Sequence, residues 1–335
     1  KIKADYWFLT DTKQQDGTIP TLTSHGVIDS SSKSCISSAV TVKGGNDKYN
    51  IALMSRWLER LGYKKVILQS DGENSVKNFW REVKKISSCD IILRFSPKGS
   101  SQSLGERESI NFQLESKFRA EKSYLEEKLG ATFKIDDAIC QWIIKHVGFC
   151  RKRYNSGADG HTGYSRINGA AYHGAVCQIG ETVMAKIQDK VKKFKSASFE
   201  AVWLGRSEFD DSHVVGTAEK IWQVRTVHRL PESQRWKLEN VLNIGGIPSD
   251  SMRAKAQTKE LPKCDLVLPR VVPEAKPDAD GASSSSSSSS SDGGDDAPGD
   301  LSSVPTVSTD MPPASTPQQP VPAAAAVDSD SLANL

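Results

Sequence analysis

VILQSDGENSV, residues 66–76, decides how this chain is read. A β-branched, apolar run of the kind that makes a buried strand stops at an acidic, glycine-containing turn, Ser70-Asp71-Gly72-Glu73-Asn74. Two explanations fit an aspartate at that point. It can cap the helix that follows, by accepting a backbone N–H. It can instead hold a metal ion, and then it needs further oxygen donors from elsewhere in the chain.

The elements around this stretch come in a definite order. Ile2 to Leu9 alternates loosely, is rich in aromatics and reads as a strand; Thr18 to Val27 and Ser34 to Val42 read as two more, with Gly44-Gly45 closing the meander. Ile51, Met54, Trp57, Leu58 and Leu61 recur at helical spacing, and Gly62 stands where that helix stops. Lys65 to Gln69 is the fourth strand, Val76, Phe79, Trp80 and Val83 mark a second amphipathic helix, and Ile91 to Phe95 is the fifth strand. After a loop from Ser96 to Leu104, a long charged helix runs to near Leu129 and another from Asp136 to near Tyr154. Three strands, then helix, strand, helix, strand and helix make an α/β sheet of mixed pairing, the order of the ribonuclease H-like fold. In such a sheet the tips of the first and fourth strands lie side by side. Asp5 then faces Asp71, and a third carboxylate comes from the helix after the fifth strand, where Glu106 and Glu108 stand at the helix start.

These residues also carry a resemblance. IKADYWFLTD, ILQSDGENSVKNF, the stretch from Ser96-Pro97-Lys98-Gly99 to Leu104-Gly105-Glu106-Arg107-Glu108, and GETVMAKI with VWLGRSEFDDSHVVGTAEKIWQVRTVHRLP resemble the integrase region of a copia-type LTR retrotransposon Pol polyprotein over roughly residues 1–236. The resemblance implies a DDE integrase core followed by a small β-rich module. It matches Asp5 to the first catalytic aspartate and Asp71 to the second. For the third residue the glycine of Leu104-Gly105 favours Glu108; 36 residues separate it from Asp71, against 34 for Glu106, and counting alone does not separate the two. Leu104 departs from the asparagine usual before that glycine.

Three carboxylates suit phosphodiester attack because negative charge accumulates on the phosphoryl oxygens. Two Mg²⁺ or Mn²⁺ ions about 3.5–4 Å apart activate the incoming oxygen and stabilise the leaving one, and hard cations prefer oxygen ligands. In this assignment Asp5 bridges the metals while Asp71 and Glu108 each complete one. The resemblance implies that water trims the element's DNA ends and that the DNA 3′-hydroxyl then attacks target DNA. Taken singly, Asp5 reads as a surface strand end and Glu108 as one more charge on a solvated helix face. Two other functions fit the same residues: a divalent-metal nuclease of this fold, and a catalytically silent nucleic-acid-binding remnant of a retroelement.

The sequence divides into a catalytic core over 1–155, a linker over 156–179, a small β-barrel, DNA-contacting module over 180–236 and a tail over 254–335. Glu181 to Lys186, Ala201 to Leu204, His213 to Gly216 and Trp222 to His228 are the barrel's short strands. Candidate phosphate contacts are Arg151, Lys152 and Arg153 at the end of the last core helix, and Lys190, Lys192, Lys193 and Lys195 in a hairpin. Positive charge at a helix C-terminus is favourable without any DNA, and a lysine-rich loop is commonly just a solvated face.

The tail carries nine consecutive serines, Ser283 to Ser291, with Pro, Ala and Asp, and reads as disordered. It has five basic and twelve acidic residues; removing them from the 44 basic and 41 acidic of the whole chain leaves 39 against 29, a net +10 that suits a polyanionic partner. The six cysteines, Cys35, Cys89, Cys140, Cys150, Cys177 and Cys264, have no short spacing and suggest reduced thiols rather than a disulfide frame or zinc site. No run is long and apolar enough to span a membrane. The expected setting is intracellular, nuclear at the point of integration, with DNA as partner, homo-oligomers in play and no small-molecule cofactor. The chain begins at Lys1 almost inside a strand and lacks the family's zinc module, so it reads as a piece of a polyprotein for which complete integration of both DNA ends is doubtful.

Overall fold

Asp47 starts the first helix, accepting the Asn50 N–H at 3.1 Å, and Gly62, at φ 73, ends it in the left-handed region. Between them α1 (Lys48–Arg60) buries Ile51, Met54, Trp57 and Leu58, and α2 (Asn74–Ile86) buries Val76, Phe79, Trp80 and Val83. The computed structural model describes residues 1–250 except 12, 14–16, 97–104 and 188–195, and only the backbone of Arg107. The hairpin lysines Lys190, Lys192, Lys193 and Lys195, most of the loop before the long helix and the 254–335 tail therefore lie outside the described residues.

The first sheet joins β1 (Ile2–Thr10), β2 (Thr21–Asp29), β3 (Cys35–Ala39), β4 (Lys65–Ser70) and β5 (Asp90–Phe95) in the order β3-β2-β1-β4-β5. β1, β2 and β3 pair antiparallel, whereas β4 runs parallel to β1 and β5 parallel to β4. This is a mixed sheet flanked by helices, in the strand order of a ribonuclease H-like fold. β2 starts at Thr21 rather than Thr18 because Pro20 has no N–H to give the ladder.

Alternation along β1 feeds two cores. Ile2, Ala4 and Tyr6 meet α1 and α2, while Trp7 and Leu9 point to the other face, covered by α3 (Gly105–Leu129) and α4 (Ala138–Tyr154). Lys3 and Asp5 belong to that second face.

Beyond α4, the 156–179 stretch holds a short helix, α5 (Gly163–Asn168), closed by a reciprocal capping box between Thr162 and Ser165. Then β6 (Thr182–Lys186), β7 (Ser198–Arg206), β8 (His213–Gly216), β9 (Ile221–Val224) and β10 (Val227–Arg229) pair antiparallel in the order β10-β6-β7-β8-β9. The single strand expected from Trp222 to His228 is thus two, broken at Arg225-Thr226, and these lie at opposite edges of the sheet. Three Cα steps reach at most about 11 Å, yet the edges of a flat five-stranded sheet would stand about 19 Å apart. The sheet must therefore curl strongly. A register shift at Trp203/Gly205 adds a bulge in its central strand.

α4 is common ground. Its Trp142, Ile143 and Val147 share one core with Leu9 and Leu114 on one side and Val183, Val202 and Trp203 on the other. Trp142 Nε1 also donates to the Gly246 carbonyl at 3.0 Å, tying down the stretch after α6 (Glu232–Arg235) and α7 (Leu238–Leu242). No helix among the described residues is long and apolar enough to cross a membrane.

Candidate metal and DNA site

The floor of the site comes from the β1–β4 pair. Ile2 stands opposite Leu68 and Lys3 opposite Gln69, and Ser70 Oγ donates to the Ala4 carbonyl at 2.9 Å. The same register, continued past the last paired residues, would bring Asp5 level with Asp71, which lies just beyond the end of β4. Asp71 Oδ1 accepts the Glu73 N–H at 2.6 Å, an Asx turn, whereas Glu73 is the N-cap residue of α2. The aspartate shapes the turn and leaves the helix's first-turn amides alone, so the capping explanation does not describe it.

The wall comes from the start of α3. Glu106 accepts Ser30 Oγ at 2.8 Å and pairs with Lys3 Nζ at 2.9 Å and Lys33 Nζ at 2.7 Å. Partial burial pushes its carboxyl up, but the hydrogen bonds from Lys33, Lys3 and Ser30 outweigh that and hold it down at about 2. Ser30 and Lys33 belong to the β2–β3 turn, so Glu106 lies on that flank of the helix. Glu108, two residues on, is rotated by about 200° at 3.6 residues per turn. It therefore points to a different flank of the helix and is exposed.

Glycine at position 26 permits this seating of α3. Gly26 is the β2 partner of Asp5, and a Cβ there would come 2.8 Å from Asn111 Oδ1 and 3.4 Å from Trp7 Nε1. Both of those polar atoms are buried without a hydrogen-bond partner. Asn111 thus rests on the strand next to Asp5.

Asp5 on β1, Asp71 just past the end of β4 and Glu108 at the start of α3 are hard carboxylate donors, a donor set whose chemistry fits Mg²⁺ or Mn²⁺. Among the described residues, however, no three His, Cys, Asp or Glu side chains cluster closely enough to hold a metal ion. Asp5, Asp71 and Glu108 are thus not gathered into one such cluster.

The basic cluster at the end of α4 faces inward. Lys152 and Arg153 are only 5 % and 4 % exposed, and both pair with buried Glu208, Arg153 at 3.1 Å. Burial pushes the Glu208 carboxyl up, and the two cations outweigh that and hold it down. Arg153 also lies over the Phe149 ring at 3.5 Å. An interior ion cluster thus takes the place of the phosphate contacts expected for Lys152 and Arg153, because a charge neutralised in the core is not offered to a ligand. Arg151 is half-buried, and its Nε donates to Gln113 Oε1 at 3.1 Å. The five described cysteines are free, and burial raises the Cys177 thiol to about 11.

Sequence reasoning missed Glu106 as an anchor, and it missed Asn111 and Glu208. Gly26 alone carried a signal, since an isolated glycine inside a strand marks a close approach.

No family model matches the chain, and no curated protein matches it. Among solved structures it is similar to the catalytic core domain of BIV integrase, at 11% identity and TM-score 0.32, over 50% of this chain and 93% of that one. A simian T-cell lymphotropic virus intasome in complex with PP2A regulatory subunit B56 gamma aligns at 10% identity and TM-score 0.35, over 68% of this chain and 78% of that one. At these values neither neighbour transfers a residue role.

Proposed function

We propose that the chain is the integrase region of a copia-type LTR retrotransposon polyprotein, a metal-dependent polynucleotidyl transferase acting on DNA through Asp5, Asp71 and Glu108. The observation that carries this reading is the β1–β4 pairing, with its Ser70 to Ala4 hydrogen bond, beside which the two aspartates stand. Two divalent cations, when bound, supply an activated oxygen nucleophile and neutralise charge on the phosphoryl group. Asp5 offers its carboxylate from the rigid central strand. Asp71 is oriented by the Glu73 N–H, which leaves its second oxygen for a ligand. Glu108, at the start of α3, is the third carboxylate of this reading.

The curled second sheet is read as a small barrel that contacts DNA, with Lys190, Lys192, Lys193 and Lys195 against phosphates. The partners are the element's DNA ends and target DNA, engaged by a homo-oligomer. Incubating the full chain with end-labelled duplex DNA and Mn²⁺ or Mg²⁺ tests the reading by its products. Joined strands mark a transferase. Cleavage without joining marks a nuclease of the same fold. Salt-sensitive binding with neither product marks a silent remnant.

A further inference from the structure

β5 is the outermost strand of the first sheet: it pairs with β4 and, among the described residues, with no strand on its other side. Two hydrogen bonds tell which of its backbone groups face out. The Asp90 N–H donates to the Lys64 carbonyl at 3.0 Å and the Ser96 N–H to the Ser70 carbonyl at 2.9 Å, so the even-numbered residues of the strand turn their backbone groups to β4. Those of Ile91, Leu93 and Phe95 point away from the sheet, an open row against which a further strand can pair.

The even-numbered side chains also share one face. Asp90, Ile92 and Arg94 stand beside Lys65, Ile67 and Gln69 of β4, and Asp90 pairs with Lys65 at 3.0 Å. Asp90 and Arg94 are exposed, whereas Ile67 and Ile92 are half-buried and belong to neither core.

A second copy laid antiparallel along this edge must match outward residues with outward residues. One such register sets Ile91 against Leu93 of the second copy, and the reverse, and each of these two pairs exchanges two N–H···O bonds. Ile92 then meets its own copy on the two-fold axis, and Asp90 stands opposite Arg94 at both ends. These are the non-hydrogen-bonded positions, where side chains approach most closely. A shift by two residues in either direction sets Ile92 against Arg94 or Asp90 instead and loses both ion pairs.

We propose that β5 is a dimerisation edge, joining the first sheets of two copies of this chain through that register. A strand edge defended against pairing carries like charges, lysines above all. An acid and a base four residues apart instead make this edge self-complementary, as a two-fold interface requires. The proposal gives the homo-oligomer a surface, and it stands whether or not the chain joins DNA.

Sedimentation velocity of the full chain across a concentration series reads the equilibrium, with hydrogen exchange of the β5 amides as a second readout. The expected result is a reversible dimer that protects the outward amides of Ile91 and Leu93 and changes little at Ile92 and Arg94, whose N–H groups already face β4. Asp90→Arg and Arg94→Asp each set like charges against each other at both ends and should weaken the dimer about ten-fold. Mixed in equal amounts, the two variants should recover it, because one chain then offers two positive charges where the other offers two negative. That recovery also shows that neither variant has merely unfolded. A wild type that stays monomeric, single variants that dimerise unimpaired, or a mixture that does not recover overturns the proposal. Protection of Ile91 and Leu93 in a chain that sediments as a monomer overturns it too, because some other segment would then occupy the edge.

Discussion

Ser70 donates its hydroxyl to the carbonyl of Ala4 across 2.9 Å, linking β4 to β1 one residue before the aspartate of each strand. Both ends of that bond are buried, so the bond fixes how far the two strands slide against each other. A slip of one residue in β1 would turn Asp5 to the α1/α2 face and drive Ala4 and Tyr6 out of the core there. β4 thus gives way to Asp71 in a register that, continued, would bring the aspartate level with Asp5.

Replacing Gly26 by alanine tests how closely α3 is seated. The new Cβ would lie 2.8 Å from Asn111 Oδ1, closer than real side chains approach, with Trp7 at 3.4 Å blocking a sideways escape. Gly26→Ala should cost about 1–3 kcal/mol of stability, the usual range for overpacking. Asn111→Ala in the same chain should return much of that loss, a coupling that urea unfolding of the double mutant would reveal. Additive losses would mean that the two residues do not press on each other.

The Glu208 cluster predicts a different kind of loss. Glu208→Gln leaves Lys152 and Arg153 buried without a counter-charge, which should cost about 3–5 kcal/mol. The same geometry predicts that DNA binding ignores Lys152: Lys152→Met should leave the slope of log affinity against log salt where it was. By contrast, removing Lys190, Lys192, Lys193 and Lys195 together should flatten that slope by about 0.9 for each phosphate that is no longer neutralised. An unchanged slope in the four-lysine variant would remove the hairpin from the DNA interface.

Acid should destabilise the fold well before its carboxylates titrate. Burial lowers His25 to about 3 and His146 and His213 to about 4, against about 6.5 unfolded. Above the unfolded value all three are neutral in both states. As pH falls below it, the unfolded chain gains protons that the folded chain refuses, so stability drops until the folded values are passed. Each histidine contributes up to about 1.4 kcal/mol per pH unit in that window. His25 sits among the rings of Tyr6, Phe79 and Trp80, so His25→Phe keeps the aromatic packing and should make the fall in melting temperature from pH 6.5 to 4.5 shallower. An identical fall would show that His25 takes no part.

Much of the first sheet was legible because its signals are local. The apolar run at Val66 to Leu68, the helical spacing of Trp57 and Leu58 and the glycine stop at Gly62 depend on neighbours within a turn or two. What escaped depends on distance in sequence. Arg153 and Glu208 meet across 55 residues, and nothing in Arg151-Lys152-Arg153 tells an interior pair from a surface patch. The β9–β10 break was hidden because Trp222, Val224 and Val227 continue an apolar pattern through it, although the chain there passes between opposite edges of the sheet. Glu106 and Glu108 were equivalent on spacing; what sets Glu106 apart is its pairing with Ser30 and Lys33, more than 70 positions away.

Strand transfer is the decisive assay for a catalytic pair at Asp5 and Asp71: full-length protein, short duplex DNA and Mn²⁺, beside Asp5→Asn and Asp71→Asn at matched DNA occupancy. The expected result is joined products from the wild type that require the metal and vanish in both variants, with DNA binding retained. Joining that survives either substitution, or a wild type that binds the duplex in Mn²⁺ and never joins it, would contradict the assignment.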